Sequence, residues 1–403
     1  MTVSSILLLL ILLGSLASFG LNVRRLISYL RMGKSEKRED HPGTRLKNVL
    51  SVAFGHTKLL REPVAGIMHY FIFWGFTVLT LAVAESLGEG IIPGFSFAFL
   101  GGLYGPLVFV EDIFGVLVVA SVLVALYRRL ISGPARLKVD AHATMDATVI
   151  LTVILFIMLS MFGQNAARIA LGGDQVASFR PVSAAIATLF AGFAPDSLAV
   201  LVQTFLWIHL LLVLGFLNYL PYSKHLHIVA SIPNIYFAKL KPRGSLKALN
   251  LADENATKFG ASDVEDLTWK QLLDGYACTE CGRCTAACPA AITGKPLSPR
   301  KVIVDIRQRL MEKGRLNAEV DSTPAGETAA PANGKGQLVD NYISEDELWA
   351  CTTCMACVQE CPVQIEHVDS IVDMRRYLVL NESRFPKELQ ATFENLERNY
   401  TPW

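Results

Sequence analysis

The sequence predicts an all-α protein in two parts, a bundle of five membrane-spanning helices followed by a soluble helical part that carries the cysteines. Two observations predict it. Apolar residues make up 52% of the chain and the mean hydropathy is +0.37, high for a soluble protein; the excess lies before about residue 230 and is absent after it. All eight cysteines lie from Cys278 onward, in two runs of identical spacing. The division this suggests is 1–235 for the membrane part and 236–403 for the soluble part. A length of 403 residues suffices for both. A net charge of +1 gives no reason to expect a nucleic-acid partner.

Five apolar stretches, about 4–30, 65–87, 98–127, 146–170 and 198–221, each reach the roughly 20 residues that a helix needs to cross a bilayer. The first has no basic residue before its apolar run and carries Arg24, Arg25 and Arg31 at its far end, so it reads as an uncleaved anchor rather than a signal peptide. Loop charges set the orientation. Lys and Arg crowd the first loop (Arg31 to Arg61), the third (Arg128 to Lys138) and the segment after the fifth span (Lys224 to Arg243). The second loop, Gly88 to Ser96, has none, and the fourth has only Arg180, with Arg168 at its edge. This alternation places the N-terminus outside and the C-terminal part in the cytosol.

The first cysteine run reads Cys278-x-x-Cys281-x-x-Cys284-x-x-x-Cys288-Pro289 and the second Cys351-x-x-Cys354-x-x-Cys357-x-x-x-Cys361-Pro362. This is the spacing that holds two 4Fe–4S clusters, the fourth cysteine of each run ligating the other cluster. Cluster one is then assigned to Cys278, Cys281, Cys284 and Cys361, and cluster two to Cys351, Cys354, Cys357 and Cys288. Zinc would need four ligands per site and has no use for the third Cys-x-x-Cys step or the proline. Four disulfides would need an oxidising compartment, against the cytosolic placement. Between the runs a helix is expected over Pro299 to Arg315, then a flexible insertion over about 317–336, rich in Ala, Pro, Gly, Thr and Glu. A second helix is expected over Val368 to Leu380.

Histidines inside apolar spans need a reason, because polar groups there are costly and usually functional. A b-type haem between helices takes two axial imidazoles. His69 lies early in the second span and His209 midway along the fifth, and antiparallel order suggests that they pair. His56 with His227 would form a second pair nearer the cytosol, with His225 as the alternative to His227. His209 and His227 are 18 residues apart, five turns of an unbroken helix, which would put both on one face; Pro221 lies between them. One or two haems follow. His142, at the start of the fourth span, reads as interfacial, and His41 and His367 lack such context. Gln164, Asn165 and Arg168 are polar where lipid would reject them, and suit a quinone carbonyl, a haem propionate or helix–helix hydrogen bonds. Glu111 and Asp112 in the third span are candidates for proton relay.

The membrane part resembles the cytochrome b subunits related to the nitrate reductase gamma subunit and to the membrane subunit of methanogen heterodisulfide reductase. The resemblance rests on Arg61-Glu-Pro63-Val-Ala-Gly66-Ile-Met-His69, on His209 and on Pro221-Tyr-Ser-Lys224-His-Leu-His227. The soluble part resembles the helical ferredoxin part of heterodisulfide reductase-like proteins in Cys281-Gly-Arg-Cys284, Gly294-Lys-Pro-Leu-Ser-Pro299, Trp349-Ala-Cys351 and Asp373-Met-Arg375-Arg376. Together the two halves resemble the membrane electron-transfer flavoprotein:menaquinone oxidoreductases. Those proteins continue into cysteine-rich CCG domains, whereas this sequence reaches Trp403 without a Cys-Cys-Gly.

The resemblance implies a quinone oxidoreductase subunit of a bacterial or archaeal cytoplasmic membrane, acting within a complex. It would pass electrons between menaquinone and a cytosolic partner, either electron-transfer flavoprotein or a CCG-domain subunit. A heterodisulfide reductase-like or hydrogenase-linked quinone module is the alternative of the same class. A membrane anchor for a soluble redox complex is the alternative of another class.

Overall fold

The computed structural model describes residues 2–137, 141–254, 256–322 and 336–403. Among them every regular element is a helix, and the β pairing consists of two isolated bridges. Five helices are long and apolar enough to cross a membrane, which makes this an all-α membrane protein.

The first of these, α1, is Val3–Leu30, and the short α2 is Pro42–Val49. The second is α3, Pro63–Ile91, whose first residue is a proline, tolerated there because that N–H has no helical partner to lose. The third begins later than its apolar run. Phe97–Leu103 is a 3-10 segment interrupted by Gly101 at φ +58, and α4 proper is Tyr104–Tyr127. The fourth, α5, is Ala141–Ala170; the His142 side chain lies outside the described residues. The short α6, Pro181–Ala187, follows, and α7, Pro195–Tyr219, is the fifth long helix. Two 3-10 turns separate α7 from α8, His227–Tyr236.

Contacts divide the chain into two compact units, one of Met1–Arg24 with Leu59–His225, the other of Arg25–Lys58 with Leu226–Trp403. Composition suggests a single boundary near 235, but the basic first loop packs with the C-terminal unit as well.

In the first unit Leu79, Val118, Val122, Ile157, Met158 and Phe162 form the main core. Glycines let the helices approach closely, as small residues do between membrane helices. A Cβ at Gly75 would meet Val118, one at Gly115 would meet Met161 and Phe162, and one at Gly163 would meet Phe205, all within 3 Å. Leu10, Leu189 and Val200 point outward, 62%, 77% and 64% exposed, an apolar exterior suited to lipid. The sequence reading did not foresee α6. Its first N–H groups are capped by a carboxylate from α4, since Asp112 accepts from Val182 N at 2.7 Å and from the Ser183 N–H and hydroxyl. Asp112 is fully buried and is committed to this cap, which corrects its reading as a proton relay.

The second unit continues with α9 (Trp269–Ala277), α10 (Arg283–Ala286), α11 (Pro289–Ile292), α12 (Pro299–Ser322), α13 (Leu338–Asn341), α14 (Glu345–Trp349), α15 (Ala356–Glu360), α16 (His367–Leu380) and α17 (Gln390–Asn399). The two helices expected here are α12 and α16, although α12 runs on past Arg315 into the tract expected to be an insertion. Residues 323–335 of that tract lie outside the described residues. Leu272, Ile303, Ile306, Leu310, Ile371 and Leu378 are fully buried in the core. Charged residues tie the first loop into this unit. Arg38 donates to both oxygens of Glu366 at 2.9 and 2.8 Å, and Arg45 donates to Tyr236 O and Ala238 O. Lys270 and Asp274, both wholly buried, pair at 2.7 Å. Removing one partner of such a pair costs about 3–5 kcal/mol, because the other charge is left uncompensated.

Candidate iron–sulfur and haem sites

Both cysteine runs are built in the same way. A short helix opening on a capping box leads into each, Thr268 with Gln271 before α9 and Ser344 with Glu347 before α14. The chain then turns left-handed twice, at Glu280 (φ +55) and Gly282 (φ +75) in the first run and at Thr353 (φ +54) and Met355 (φ +63) in the second. A one-turn helix follows, α10 carrying Cys284 and α15 carrying Cys357. Pro289 starts α11 immediately after Cys288, where a missing N–H is harmless.

The thiols fall into two fours that cross between the runs. Burial pushes the Cys361 thiol up to about 12, and its thiol neighbours are Cys281 and Cys278 of the first run. Cys284 is raised by burial and then by Cys278, Cys361 and Cys281, with a smaller push from Cys357. Burial likewise pushes Cys357 up to about 12, with Cys351, Cys288 and Cys354 adding to it. Cys351 is raised by burial and feels Cys288 and Cys354. Each fourth cysteine thus stands with the three of the other run. Among the described residues no three His, Cys, Asp or Glu side chains close on a single point as a one-ion site requires; in a zinc site the sulfurs would lie about 3.8 Å apart. Buried thiols this weakly acidic stay ionised only if a metal takes them as thiolates. The donor set is therefore all sulfur and grouped in fours, and it fits cubane clusters.

Three cations surround these loops; Arg375 belongs to the Asp373-Met-Arg375-Arg376 stretch and Lys58 to the basic first loop, whereas Arg307 stands out in neither. Arg307 on α12 donates to Cys278 O at 3.2 Å and pairs with Glu280. Arg375 on α16 donates to Cys351 O and Leu348 O and stacks on the Trp349 ring at 4.9 Å. Lys58 donates to Cys361 O at 3.0 Å, and its own carbonyl accepts from Arg283. Such contacts run to backbone carbonyls, and a carbonyl leaves no mark in the sequence.

Two of the candidate histidines, His56 and His209, are buried. His209 is 2% exposed, and its Nδ1 bonds Ile157 O at 3.1 Å and Ser160 Oγ at 3.2 Å. That engagement leaves Nε2 for a ligand bond and supplies the outer partner a metal-binding imidazole needs. His69, on α3, is half-buried. The glycine contacts set relative depth in this unit. Gly75 abuts Val118, and Gly115, three residues from Val118, abuts Met161 and Phe162. His209, bonded at Ile157 and Ser160, is therefore roughly level with Gly75, and His69 lies six residues, about 9 Å, further along α3.

His56 is buried, bonds Phe54 O through Nδ1 at 3.2 Å, and burial lowers its pKa. The π turn before it meets α8 at Ile235 and Tyr236, whereas His227 opens that helix at its other end. The expectation that His209 and His227 share a helix face fails because α7 ends at Tyr219 and α8 is a separate helix. Arg168 forms a two-point pair with Glu89 at 2.8 and 2.7 Å, the helix–helix reading among those open to it.

The 4Fe-4S dicluster domain model matches residues 277–365. The probable iron-sulfur-binding oxidoreductase FadF of Bacillus subtilis (strain 168) is 34% identical over 402 residues, 94% of this chain and 56% of that protein. The EtfAB:quinone oxidoreductase of Syntrophomonas wolfei is 33% identical over 386 residues, 91% of this chain and 53% of that protein. A probable membrane-anchored ferredoxin of Chromohalobacter salexigens is 41% identical over 156 residues, 38% of this chain and 23% of that protein. The chain spans about half the length of the first two relatives. No solved structure matches it. The chain is thus related over more than nine-tenths of its length to FadF and EtfAB:quinone oxidoreductase, and it carries a 4Fe-4S dicluster domain.

Proposed function

We propose that the chain is a membrane electron-transfer subunit that passes electrons between a cytosolic redox partner and menaquinone. The observation that carries this reading is the crossing of the two thiol fours, in a chain with five membrane-length helices. Cys278, Cys281, Cys284 and Cys361 hold one cluster, and Cys351, Cys354, Cys357 and Cys288 hold the other. Bound 4Fe–4S clusters supply one-electron carriage at potentials set by nearby charge, hydrogen bonds and exposure. Cys354 is exposed and Cys351 half-buried, whereas Cys278, Cys284 and Cys361 are buried, so the second cluster's loop is the one that meets the soluble partner. Similarity to an EtfAB:quinone oxidoreductase favours electron-transfer flavoprotein as that partner and a quinone as the membrane substrate. Loop charges favour the cytosolic side for the clusters.

A b-type haem in the membrane unit completes the reading, with His69 and His209 as its candidate ligands. Purified protein should hold about eight irons in clusters and reduce a menaquinone analogue when given reduced electron-transfer flavoprotein. Stoichiometric zinc with little iron would overturn the cluster assignment. Pyridine haemochrome assays on His69→Ala and His209→Ala name the haem ligand by which replacement removes the haem. Full haem in both would remove it from these helices and leave the clusters standing.

A further inference from the structure

A small polar cavity of about 30 Å³ lies inside the first unit, between the C-terminal ends of α3 and α5 and the N-terminal part of α4. That volume holds one or two waters. Four carboxylates and two guanidinium groups face it, and all but one of the carboxylates are committed. Glu85 Oε1 accepts from Ser96 Oγ, Phe97 N and Tyr104 OH. Glu89 is paired with Arg168 and Asp112 caps α6; Arg180 pairs in charge with Asp174 at 3.2 Å, although its buried Nε makes no hydrogen bond. The exception among the carboxylates is Glu111, 2% exposed, whose Oε1 is buried without a hydrogen-bond partner in the structure. Leaving a buried carboxyl oxygen unsatisfied costs about 1–3 kcal/mol or more, and water in a cavity this polar is the group that relieves it. Gln164, 4% exposed, and Asn165 line the same space from α5 and give that water further partners.

We propose that this cavity is a hydrated proton-transfer site in which Glu111 takes a proton from water and releases it toward quinone being reduced in the membrane unit. The proposal rests on the quinone reading above and goes beyond it by naming a proton donor. Reducing one quinone to quinol consumes two electrons, delivered by the chain's cofactors, and two protons. Each proton leaves the Glu111 carboxyl O–H for a quinone oxygen through cavity water, and the carboxylate is then reprotonated from water. Glu111 is the group free to do this, because moving a proton on Glu85, Glu89 or Asp112 would break an ion pair or a cap that holds helices together.

The test compares the full chain in native membranes with its Glu111→Gln variant. Redox-difference infrared spectra of the wild type should contain a carboxylic-acid carbonyl band that shifts in D2O. That band should be missing from Glu111→Gln while iron content and cluster EPR stay unchanged. Menaquinone reduction should fall on the order of a hundredfold, within the range for a lost general acid, and its pH profile should flatten. A variant with the wild-type band, rate and pH profile overturns the proposal, as does a wild type with no D2O-sensitive carboxyl band, which needs no variant to fold. If the wild type reduces no quinone yet shows the band and loses it in Glu111→Gln, the quinone reading fails and the proton site stands.

Discussion

In the first cysteine run the chain turns left-handed at Glu280 and Gly282; in the second it does so at Thr353 and Met355, within about 12° at each position. An arginine from the helix that follows donates to the carbonyl of each run's first cysteine, Arg307 to Cys278 and Arg375 to Cys351. The surroundings differ. The first run is mostly buried and the second shows Cys354 to solvent. Arg307 is countered by Glu280, whereas the residue equivalent to Glu280 in the second run is the uncharged Thr353. The first four alone has Lys58, which holds the carbonyl of its visiting cysteine, Cys361. Ligand geometry is set by the repeated backbone, and potential and access are set by what each loop packs against.

The strongest way to break the comparison is Cys288→Ala. Iron should fall from about eight to about four, and the EPR signal lost should be that of the cluster built on Cys351, Cys354 and Cys357. Loss of the first run's own cluster instead would show that the fours do not cross. Lys58→Met tests the asymmetry of charge. A cation beside a cluster favours its more negative, reduced form, so the potential of the first cluster should drop by tens of millivolts in an EPR-monitored titration, where about 60 mV is a tenfold change for one electron. The second cluster's potential should stay where it is; equal shifts in both would dissolve the distinction. The smallest effect is expected from Gly282→Ala. A Cβ in left-handed backbone costs roughly 1–2 kcal/mol, to be read as a lower denaturant midpoint for iron release, a strain that Met355 already carries in the second run.

Long apolar runs made the five spans legible to within a few residues, and the repeated Cys-x-x-Cys step made the 4Fe-4S dicluster domain legible. What escaped reading is short or non-local. The apolar run from Pro181 to Phe190 is too brief to signal a span, and its anchor, Asp112, lies 70 positions away. The depths of His69 and His209 depend on where Gly75 and Gly115 let helices touch, which no periodicity within one helix records. The break after Tyr219 was signalled by Pro221, yet a spacing of 18 residues favoured an unbroken helix. The stretch from Arg31 to Lys58 reads as a plain cytosolic loop because its long-range partners are backbone carbonyls and carboxylates far along the chain.

That last segment carries a consequence for synthesis. Arg38 and Glu366 are 328 positions apart, and Asn48 and Gln364, which exchange two hydrogen bonds, are 316 apart. At 5–20 residues per second on the ribosome, tens of seconds separate the emergence of these partners. During that interval Arg38, Arg45 and Lys58 lack their distant acceptors, and Arg38 and Arg45 have only the nearby Glu36 and Asp40. The second unit therefore closes last around a segment made first, at the loop-closure cost of its longest-range contacts.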